Sequence, residues 1–237
     1  MMLIRPVEGK DLDDLYTLAF DASDGITTLP VSKERLAARI LGSQNAFAAD
    51  IKDDPGTYNY FLVLEDTEKG RIVGTTGIFS QVGLDRPFYN YEIKEELHSC
   101  TDPEVHSEFH SLHYGTPHKG SAELATLYLY PDYRLGGNGT LLSKSRFLLI
   151  ASYPERFAKN LMAEIRGWVD EANQSPFWDA VGRNFFKMEL VAADRINSFG
   201  NYRFIEELMP KHPLYIELLP KDAQEVIGIT HPESGGA

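Results

Sequence analysis

The stretch Pro131-Asp132-Tyr133-Arg134-Leu135-Gly136-Gly137-Asn138-Gly139 lies between two apolar runs, LATLYLY at 124–130 and TLLSKSRFLLI at 140–150. The first run has the aromatic and aliphatic character of a strand, and the second repeats its apolar residues at helical spacing. Glycines let the backbone turn sharply between the two elements, and the unsatisfied N–H groups at the start of a helix form an anion site. The sequence therefore predicts a strand, an anion-binding glycine loop and a helix.

The spacing of the glycines within this loop limits the class of anion-binding loop to which it can belong. A Walker loop is excluded because no lysine follows the last glycine, and a GxGxxG loop is excluded because the glycines are Gly136, Gly137 and Gly139. The pattern R-x-x-G-x-G is present at Arg134, Gly137 and Gly139. In this the loop resembles the pyrophosphate-binding signature of GCN5-related acyl-CoA N-acyltransferases. A plain strand-to-helix turn is the competing interpretation of so short a match.

Strand and helix patterns alternate along the rest of the chain. They predict strands at 3–7, 122–130 and 160–167 and a hairpin at 60–82. They also predict a helix with Asp11 as its N-cap, a helix that begins near Ser32, a helix capped by Ser175, and helices at 139–152, 202–209 and 221–228. The helix at 139–152 is expected to be well buried, with these residues on its covered face: Leu141, Leu142, Leu148, Leu149 and Ser152. Residues 83–120 have weak periodicity and are interpreted as an inserted excursion. The order indicates a mixed α/β (α+β) fold with a central, mostly antiparallel twisted sheet flanked by helices.

Composition limits the classes of function. The chain has 237 residues, a formal net charge of −12 and no block rich in lysine or arginine, so we expect no nucleic-acid partner. No window approaches the ~18 apolar residues of a membrane helix, and the first residues form no apolar signal region, so we expect no membrane association. The single cysteine, Cys100, excludes an intramolecular disulfide and fits a reducing compartment. We therefore expect a cytoplasmic protein.

Longer segments extend the resemblance from the superfamily to one family. SAELATLYLYPDYRLGGNGTLLSKSRF at 121–147, AEIRGWVDEANQSPFWDAVGRNFF at 163–186 and DAQEVIGITHP at 222–232 are similar to the arginine N-succinyltransferase family. The resemblance implies an acyl-CoA N-acyltransferase (GNAT-like) fold. It also implies an enzyme that moves the succinyl group of succinyl-CoA to the α-amino group of L-arginine, in arginine catabolism. Succinyl-CoA would be a co-substrate, with no tightly bound cofactor.

The resemblance assigns the co-substrate site to the strand and the loop. The position that contacts succinyl-CoA in the family's strand is matched by Leu127. The pyrophosphate would be held by the loop residues Arg134, Gly136, Gly137, Asn138 and Gly139.

Two residues are candidates for proton transfer. His231 in EVIGITHP matches the family's proton-donor histidine, and an imidazole with an unperturbed pKa of ~6.5 can both give and take protons near neutrality. Taken alone, a histidine in this position would be a solvated surface residue. Glu123, at the start of the strand, is a second acid/base or substrate-binding candidate, although a glutamate in a strand can equally face solvent. The chemistry requires such groups because the α-amine must lose a proton before it attacks the thioester.

Histidines cluster in the predicted excursion. Five of the seven lie at His98, His106, His110, His113 and His118. Their i,i+3 and i,i+4 spacings could bind zinc on a helix, but the segment has no HExxH pattern and no cysteine pair, so no metal site is predicted.

The resemblance covers residues 1 to about 232, and the family's chains continue further. We therefore expect this chain to be a fragment or a natural short form. We predict an acyl-CoA-binding domain at 1–170, interrupted by the excursion at 83–120, and a helical extension at 171–237. A homo- or hetero-oligomer is compatible with the sequence. Two alternatives stay open, an N-acyltransferase with another acceptor such as ornithine, and a non-catalytic CoA-binding subunit of a hetero-oligomer.

Overall fold

The computed structural model of the protein describes residues 1–22, 29, 32–198 and 203–231. The chain forms two compact units. The first consists of Met1–Pro87 and His118–Glu164, and the second of Phe88–Pro117 and the chain from Ile165 onward. The predicted division at residue 170 stays a prediction, but these units group 88–117 with the C-terminal segment. Residues 232–237, at the end of the predicted extension, and residue 202, at the predicted start of a helix, lie outside the described residues.

The described strands are β1 (Met2–Pro6), β2 (Asn59–Asp66), β3 (Arg71–Phe79), β4 (Asn90–Thr101), β5 (Glu104–Gly115), β6 (Ala122–Leu129), β7 (Leu161–Ala163) and β8 (Leu214–Tyr215). The described helices are α1 (Leu12–Asp21), α2 (Lys33–Ala48), α3 (Asn138–Ser152), α4 (Arg183–Phe186), α5 (Leu190–Ser198), α6 (Arg203–Leu208) and α7 (Lys221–Glu225). None of the helices in these described segments is long and apolar enough to cross a membrane.

A five-stranded sheet in the order β1-β2-β3-β6-β7 forms the centre of the first unit. Its neighbouring strands are antiparallel except for β6 and β7, which are parallel. Alternate residues of β2 contact two different cores, as the strand pleat requires. Phe61 and Val63 pack with α1 and α2 on one face, and Leu64 packs with Leu142 of α3 on the other. The predicted mixed α/β fold with a mostly antiparallel sheet is confirmed.

Local signals explain the starts of α1 and α2. The helix predicted to begin near Ser32 is α2, and Ser32 caps it because its hydroxyl accepts a hydrogen bond of 3.4 Å from the backbone N of Arg35. Asp11, the predicted N-cap of α1, does not cap that helix with its side chain. Its carboxylate instead accepts from the backbone N of Glu8 at 2.8 Å and from both terminal nitrogens of Arg5. The carboxylate therefore ties β1 to the turn before α1.

The expected burial of α3 is only partly correct. Leu142 is fully buried, but Leu141 and Leu148 are 49% and 70% exposed. The buried residues lie on a narrow stripe of the helix, with Arg146 one turn after Leu142. The leucines outside this stripe stay at the surface because only one side of the helix faces the sheet.

The second unit contains a long hairpin where the sequence predicted a weakly patterned excursion. β4 and β5 pair antiparallel from Asn90↔Gly115 to Thr101↔Glu104. β8 adds to the other side of β5 through Ser111↔Tyr215 and Leu112↔Leu214, giving the order β4-β5-β8. Most residues of β4 are exposed, so the strand has no buried face that would produce an alternating apolar pattern.

Candidate active site

A bulge lies near the centre of β6. In the pairing with β3, the single residue Thr76 faces two residues of β6, Thr126 and Leu127. Thr126 has a φ of +58°, in the left-handed region that a β-branched residue rarely adopts. Its carbonyl accepts a hydrogen bond of 2.9 Å from the hydroxyl of Thr75. The strained residue is therefore held in place by its neighbour strand.

Arg39 of α2 contacts the same threonine. Its Nη2 donates a hydrogen bond of 2.7 Å to Oγ1 of Thr126. The guanidinium lies over the ring of Phe61 at 4.4 Å and over that of Phe79 at 5.4 Å from the centroid. Burial lowers the pKa of Arg39 to about 10, and the charge of Glu123 opposes this shift. Arg39 therefore remains a cation at neutral pH.

Glu123 is a buried carboxyl at the start of β6, with 4% of its surface exposed. Burial, followed by the charge of Glu164, raises its pKa to about 7, while Arg39 and Arg86 oppose the change. A carboxyl with a pKa near 7 can take up a proton at neutral pH and release it again, which is the property of a general base. All four groups belong to the first unit.

β6 and β7 separate after a short parallel contact. They pair only over Ala122–Leu124 of β6. β7 ends at Ala163, whereas β6 continues to Leu129, so among the described residues this later part of β6 has a strand partner on one side only. An open strand edge can pair with the amides of an extended ligand. Leu127 lies in this open stretch and is partly buried.

The glycine loop follows β6 directly and leads into α3. Gly136 and Gly137 have φ of +62° and +81°, which glycine adopts without strain. A Cβ atom at either position would meet no heavy atom within 4 Å, and one at Gly139 would meet only Cδ2 of Leu129 at 4.0 Å. The space above the glycines is therefore open. Because the first N–H groups of α3 also lie here, the loop fits the pyrophosphate of a CoA molecule.

Three hydrogen bonds give the loop its shape. The Nε of Arg134 donates to the carbonyl of Leu129 at 3.0 Å. The side-chain amide of Asn138 donates to the carbonyl of Tyr133 at 3.1 Å, and the hydroxyl of Tyr133 donates to Asp66 at 3.1 Å. Asn138 thus uses its side chain inside the loop, whereas Arg134 can present its terminal nitrogens to an anion.

His231 belongs to the second unit. Its backbone N donates to the carbonyl of Arg166 at 2.8 Å, and a bridge joins Gly167 to Thr230. The backbone N of Trp168 donates to Ile229 at 3.0 Å. These contacts fix the backbone of His231 against the segment that follows β7. The first unit places Glu123, Leu127 and the loop residues along β6 and at the start of α3, whereas His231 lies in the second unit.

Sequence reasoning did not single out Arg39 or Thr126. A signal for Arg39 exists, because it follows Leu36 by three residues and precedes Ser43 by four, and both of these face the core. An arginine at a core-facing position of an amphipathic helix indicates a buried polar contact. For Thr126 the sequence offers no comparable signal.

Comparisons with known proteins cover the whole chain. A family model described as arginine N-succinyltransferase beta subunit matches residues 2–237. An arginine N-succinyltransferase of Yersinia pestis (strain Pestoides F) is 43% identical over 237 residues, which are 100% of this chain and 67% of that protein. An arginine N-succinyltransferase of Shigella flexneri serotype 5b (strain 8401) is 42% identical over 238 residues, covering 100% of this chain and 68% of that protein.

A solved structure is similar in fold as well as in sequence. It is the arginine/ornithine succinyltransferase subunit AI from Pseudomonas aeruginosa, with a TM-score of 0.87 and 35% identity. The match covers 99% of this chain and 68% of the other. The chain therefore spans about two thirds of the length of the relatives that it matches.

Proposed function

The chain belongs to the arginine N-succinyltransferase family, and we propose on this basis that it transfers the succinyl group of succinyl-CoA to the α-amino group of L-arginine. The products are N2-succinyl-L-arginine and CoA, so the protein is an acyltransferase of arginine catabolism. The observation that carries the proposal is the position of the glycine loop. It leaves the end of the open strand β6 and reaches the positive N-terminus of α3 with unfilled space above its glycines.

Different residues of the first unit bind different parts of succinyl-CoA. The loop glycines Gly136, Gly137 and Gly139 make room for the pyrophosphate, and Arg134 supplies a cation beside it. The open edge at Leu127 pairs with the amides of the pantetheine arm. Asn138 acts on the loop rather than on the ligand, because its amide is bonded to Tyr133. CoA is a co-substrate in this scheme.

The chemical step needs one proton acceptor and one proton donor. Glu123 takes a proton from the α-ammonium of arginine, and the freed amine attacks the thioester carbonyl. A backbone N–H of β6 stabilises the oxyanion. The new C–N bond forms, the C–S bond breaks, and the departing thiolate takes its proton from His231. The nitrogen releases its second proton to water as the amide forms, and His231 regains a proton from water. Transfer is direct from CoA to arginine, without a covalent enzyme intermediate, and the exposed Cys100 of the β4–β5 hairpin takes no part in it.

Two observations support a second acceptor and a hetero-oligomeric assembly. The Pseudomonas aeruginosa relative is named for arginine and ornithine, so ornithine is the second candidate acceptor. The matching family model is described as a beta subunit, which favours a hetero-oligomer over a single kind of chain. The cytoplasmic location stays a prediction from the sequence.

Release of free thiol from succinyl-CoA tests the proposal. We expect release that depends on L-arginine, with succinylarginine formed in equal amount by mass spectrometry. Titration with CoA in the same preparation shows whether the site is formed. If the folded chain binds CoA but releases no thiol with arginine, the chain is a CoA-binding subunit and the proposal is wrong. Thiol release with L-ornithine but not with L-arginine would show that ornithine is the acceptor.

A further inference from the structure

A histidine and two carboxylates meet on one face of the β4–β5 hairpin in the second unit. Glu95 of β4 lies directly opposite His110 of β5 in the strand register. Glu108 precedes His110 by two residues on β5, so its side chain points to the same face. One ligand atom from each of these three side chains lies within 4.8 Å of the other two.

Glu217, in the turn Ile216–Leu218 after β8, fixes the ring of His110. Its Oε1 accepts a hydrogen bond of 2.8 Å from the backbone N of His110 and lies 3.2 Å from Nδ1. A carboxylate only accepts hydrogen bonds, so this contact assigns the proton of the neutral ring to Nδ1 and the lone pair to Nε2. A carboxylate on the remote nitrogen of a metal-bound histidine orients the ring and raises its basicity.

The distance between the ligand atoms of His110 and Glu108 suits a first-row divalent cation. Zinc bonds to imidazole nitrogen and carboxylate oxygen are about 2.1 Å long, which places two ligands of a tetrahedral ion about 3.4 Å apart. Nε2 of His110 lies 3.6 Å from Oε1 of Glu108. The side chains of His110 and Glu108 are 42% and 56% exposed, so a cation can reach them and water can complete its coordination.

We propose that Glu95, Glu108 and His110 form a binding site for a first-row divalent metal ion, with Zn²⁺ as the favoured ion and Glu217 as the residue that positions His110. An imidazole ligand favours Zn²⁺ over Mg²⁺ and Ca²⁺, which take oxygen ligands. The bound ion links β4 to β5 and, through Glu217, to the turn after β8. The residues of the site lie in the second unit, and none of them is assigned to succinyl transfer.

The strand register explains why the histidine spacing alone did not predict this site. On a helix, His106 and His110 would lie on neighbouring turns, but on a strand they lie about 13 Å apart. The ligands that reach His110 are instead the carboxylates opposite it and two residues before it on the hairpin.

Calorimetric titration of ZnCl2 into the full chain, after removal of metal by a chelator, tests the site. We expect saturable binding of one Zn²⁺ per chain. His110→Ala should abolish this binding, and Glu95→Gln and Glu108→Gln should weaken it by at least about tenfold. Glu217→Gln, which keeps all three ligands, should weaken it about tenfold. The matched control is His106→Ala, on the same face of the same strand, which should bind Zn²⁺ like the wild type.

Thermal unfolding gives an independent readout. ZnCl2 should raise the Tm of the wild type and of His106→Ala, and leave the Tm of His110→Ala unchanged. Lack of saturable Zn²⁺ binding by the wild type, or equal binding by His110→Ala, would overturn the proposal. Displacement of Zn²⁺ by an equal concentration of MgCl2 would overturn the choice of ion.

Discussion

The guanidinium of Arg39 donates a hydrogen bond of 2.7 Å to the hydroxyl of Thr126, the threonine that β6 holds at a φ of +58°. A charge that is partly removed from water is destabilising unless it is paired or hydrogen-bonded, and a strained β-branched residue persists only where its surroundings hold it. The hydrogen bond thus gives the charge of Arg39 a partner and holds Thr126 in its strained conformation. The bulge that they stabilise lies on the strand that carries Glu123 and Leu127, so the pair sets the backbone geometry of the candidate site.

A double-mutant cycle should detect this pairing. Arg39→Met removes the donor, and Thr126→Val removes the acceptor while keeping the branched shape. We expect a coupling energy of roughly 1.5–3 kcal/mol, because a hydrogen bond to a charged group is broken in either single variant. Urea unfolding of the four proteins measures it. Arg39→Met combined with Thr17→Val, an exposed threonine of α1, should be additive; a coupling near zero for Arg39 and Thr126 would contradict the assignment.

Glu123→Gln should stabilise the protein in a pH-dependent way. Burial raises the pKa of Glu123 from 4.5 to about 7, so the folded state binds this proton more tightly than the unfolded state. Wild-type stability is therefore lost as pH rises from 4.5 to about 7, whereas glutamine has no proton to lose. The gain in unfolding free energy should be larger at pH 8 than at pH 5, by roughly 2 kcal/mol.

Urea unfolding at the two pH values checks this prediction, with Glu225→Gln, an exposed glutamate of α7, as the control. The same Glu123→Gln protein should turn over succinyl-CoA about a hundredfold more slowly, because its general base is missing. A variant that gains stability at pH 8 but keeps the wild-type rate would show that the buried carboxyl is not the base.

Gly139→Ala should separate stability from CoA binding. Gly139 lies in the first turn of α3 and is not among the glycines with positive φ, so alanine fits the backbone and should stabilise the helix by up to about 1 kcal/mol. Its Cβ enters the open space of the loop, where we place the pyrophosphate. CoA affinity should therefore fall at least tenfold in calorimetry.

The matched control for this change is Gly42→Ala in α2. A Cβ at Gly42 meets no heavy atom within 4 Å, so the variant should gain stability while keeping its CoA affinity. Wild-type CoA affinity in Gly139→Ala would show that the pyrophosphate lies elsewhere.

His231→Ala should lower the turnover number about a hundredfold, because the departing thiolate then takes its proton from water. The dissociation constant of CoA, measured by calorimetry, should change little, since His231 is not among the loop residues that we assign to the pyrophosphate. His212→Ala, at an exposed position of the same unit, is the control and should have the wild-type rate. An unchanged rate in His231→Ala would assign the proton donor to another group.

Elements whose apolar runs are buried in the core were predictable from the sequence. The hairpin at 60–82, the strand at 122–130 and the helix start near Ser32 all appear, with ends shifted by up to three residues. In each case local pattern and tertiary packing agree, because an aromatic and aliphatic run and a capping hydroxyl have the same meaning in an isolated segment and in the fold.

Features that depend on distant contacts were not predictable. The φ of Thr126 results from hydrogen bonds with Arg39 and Thr75, which are far away in the sequence. For Glu123, the sequence left open whether the side chain faces solvent, and only the packing of the sheet shows that it is buried. The glycine loop was predictable because its spacing is itself the geometric requirement.

The hairpin of β4 and β5 has a consequence for synthesis on the ribosome. β5 pairs with β8 through Ser111↔Tyr215, so its partner strand is translated about a hundred residues later. At about 5–20 residues per second, the nascent hairpin waits roughly 5–20 s with this edge uncovered. The hairpin carries glutamates, a lysine and histidines, and these residues interrupt the alternating apolar pattern of a strand. Charged residues of this kind also prevent an open strand edge from pairing with another nascent chain. The charge pattern of the hairpin is thus suited to protecting the chain from aggregation before it is complete.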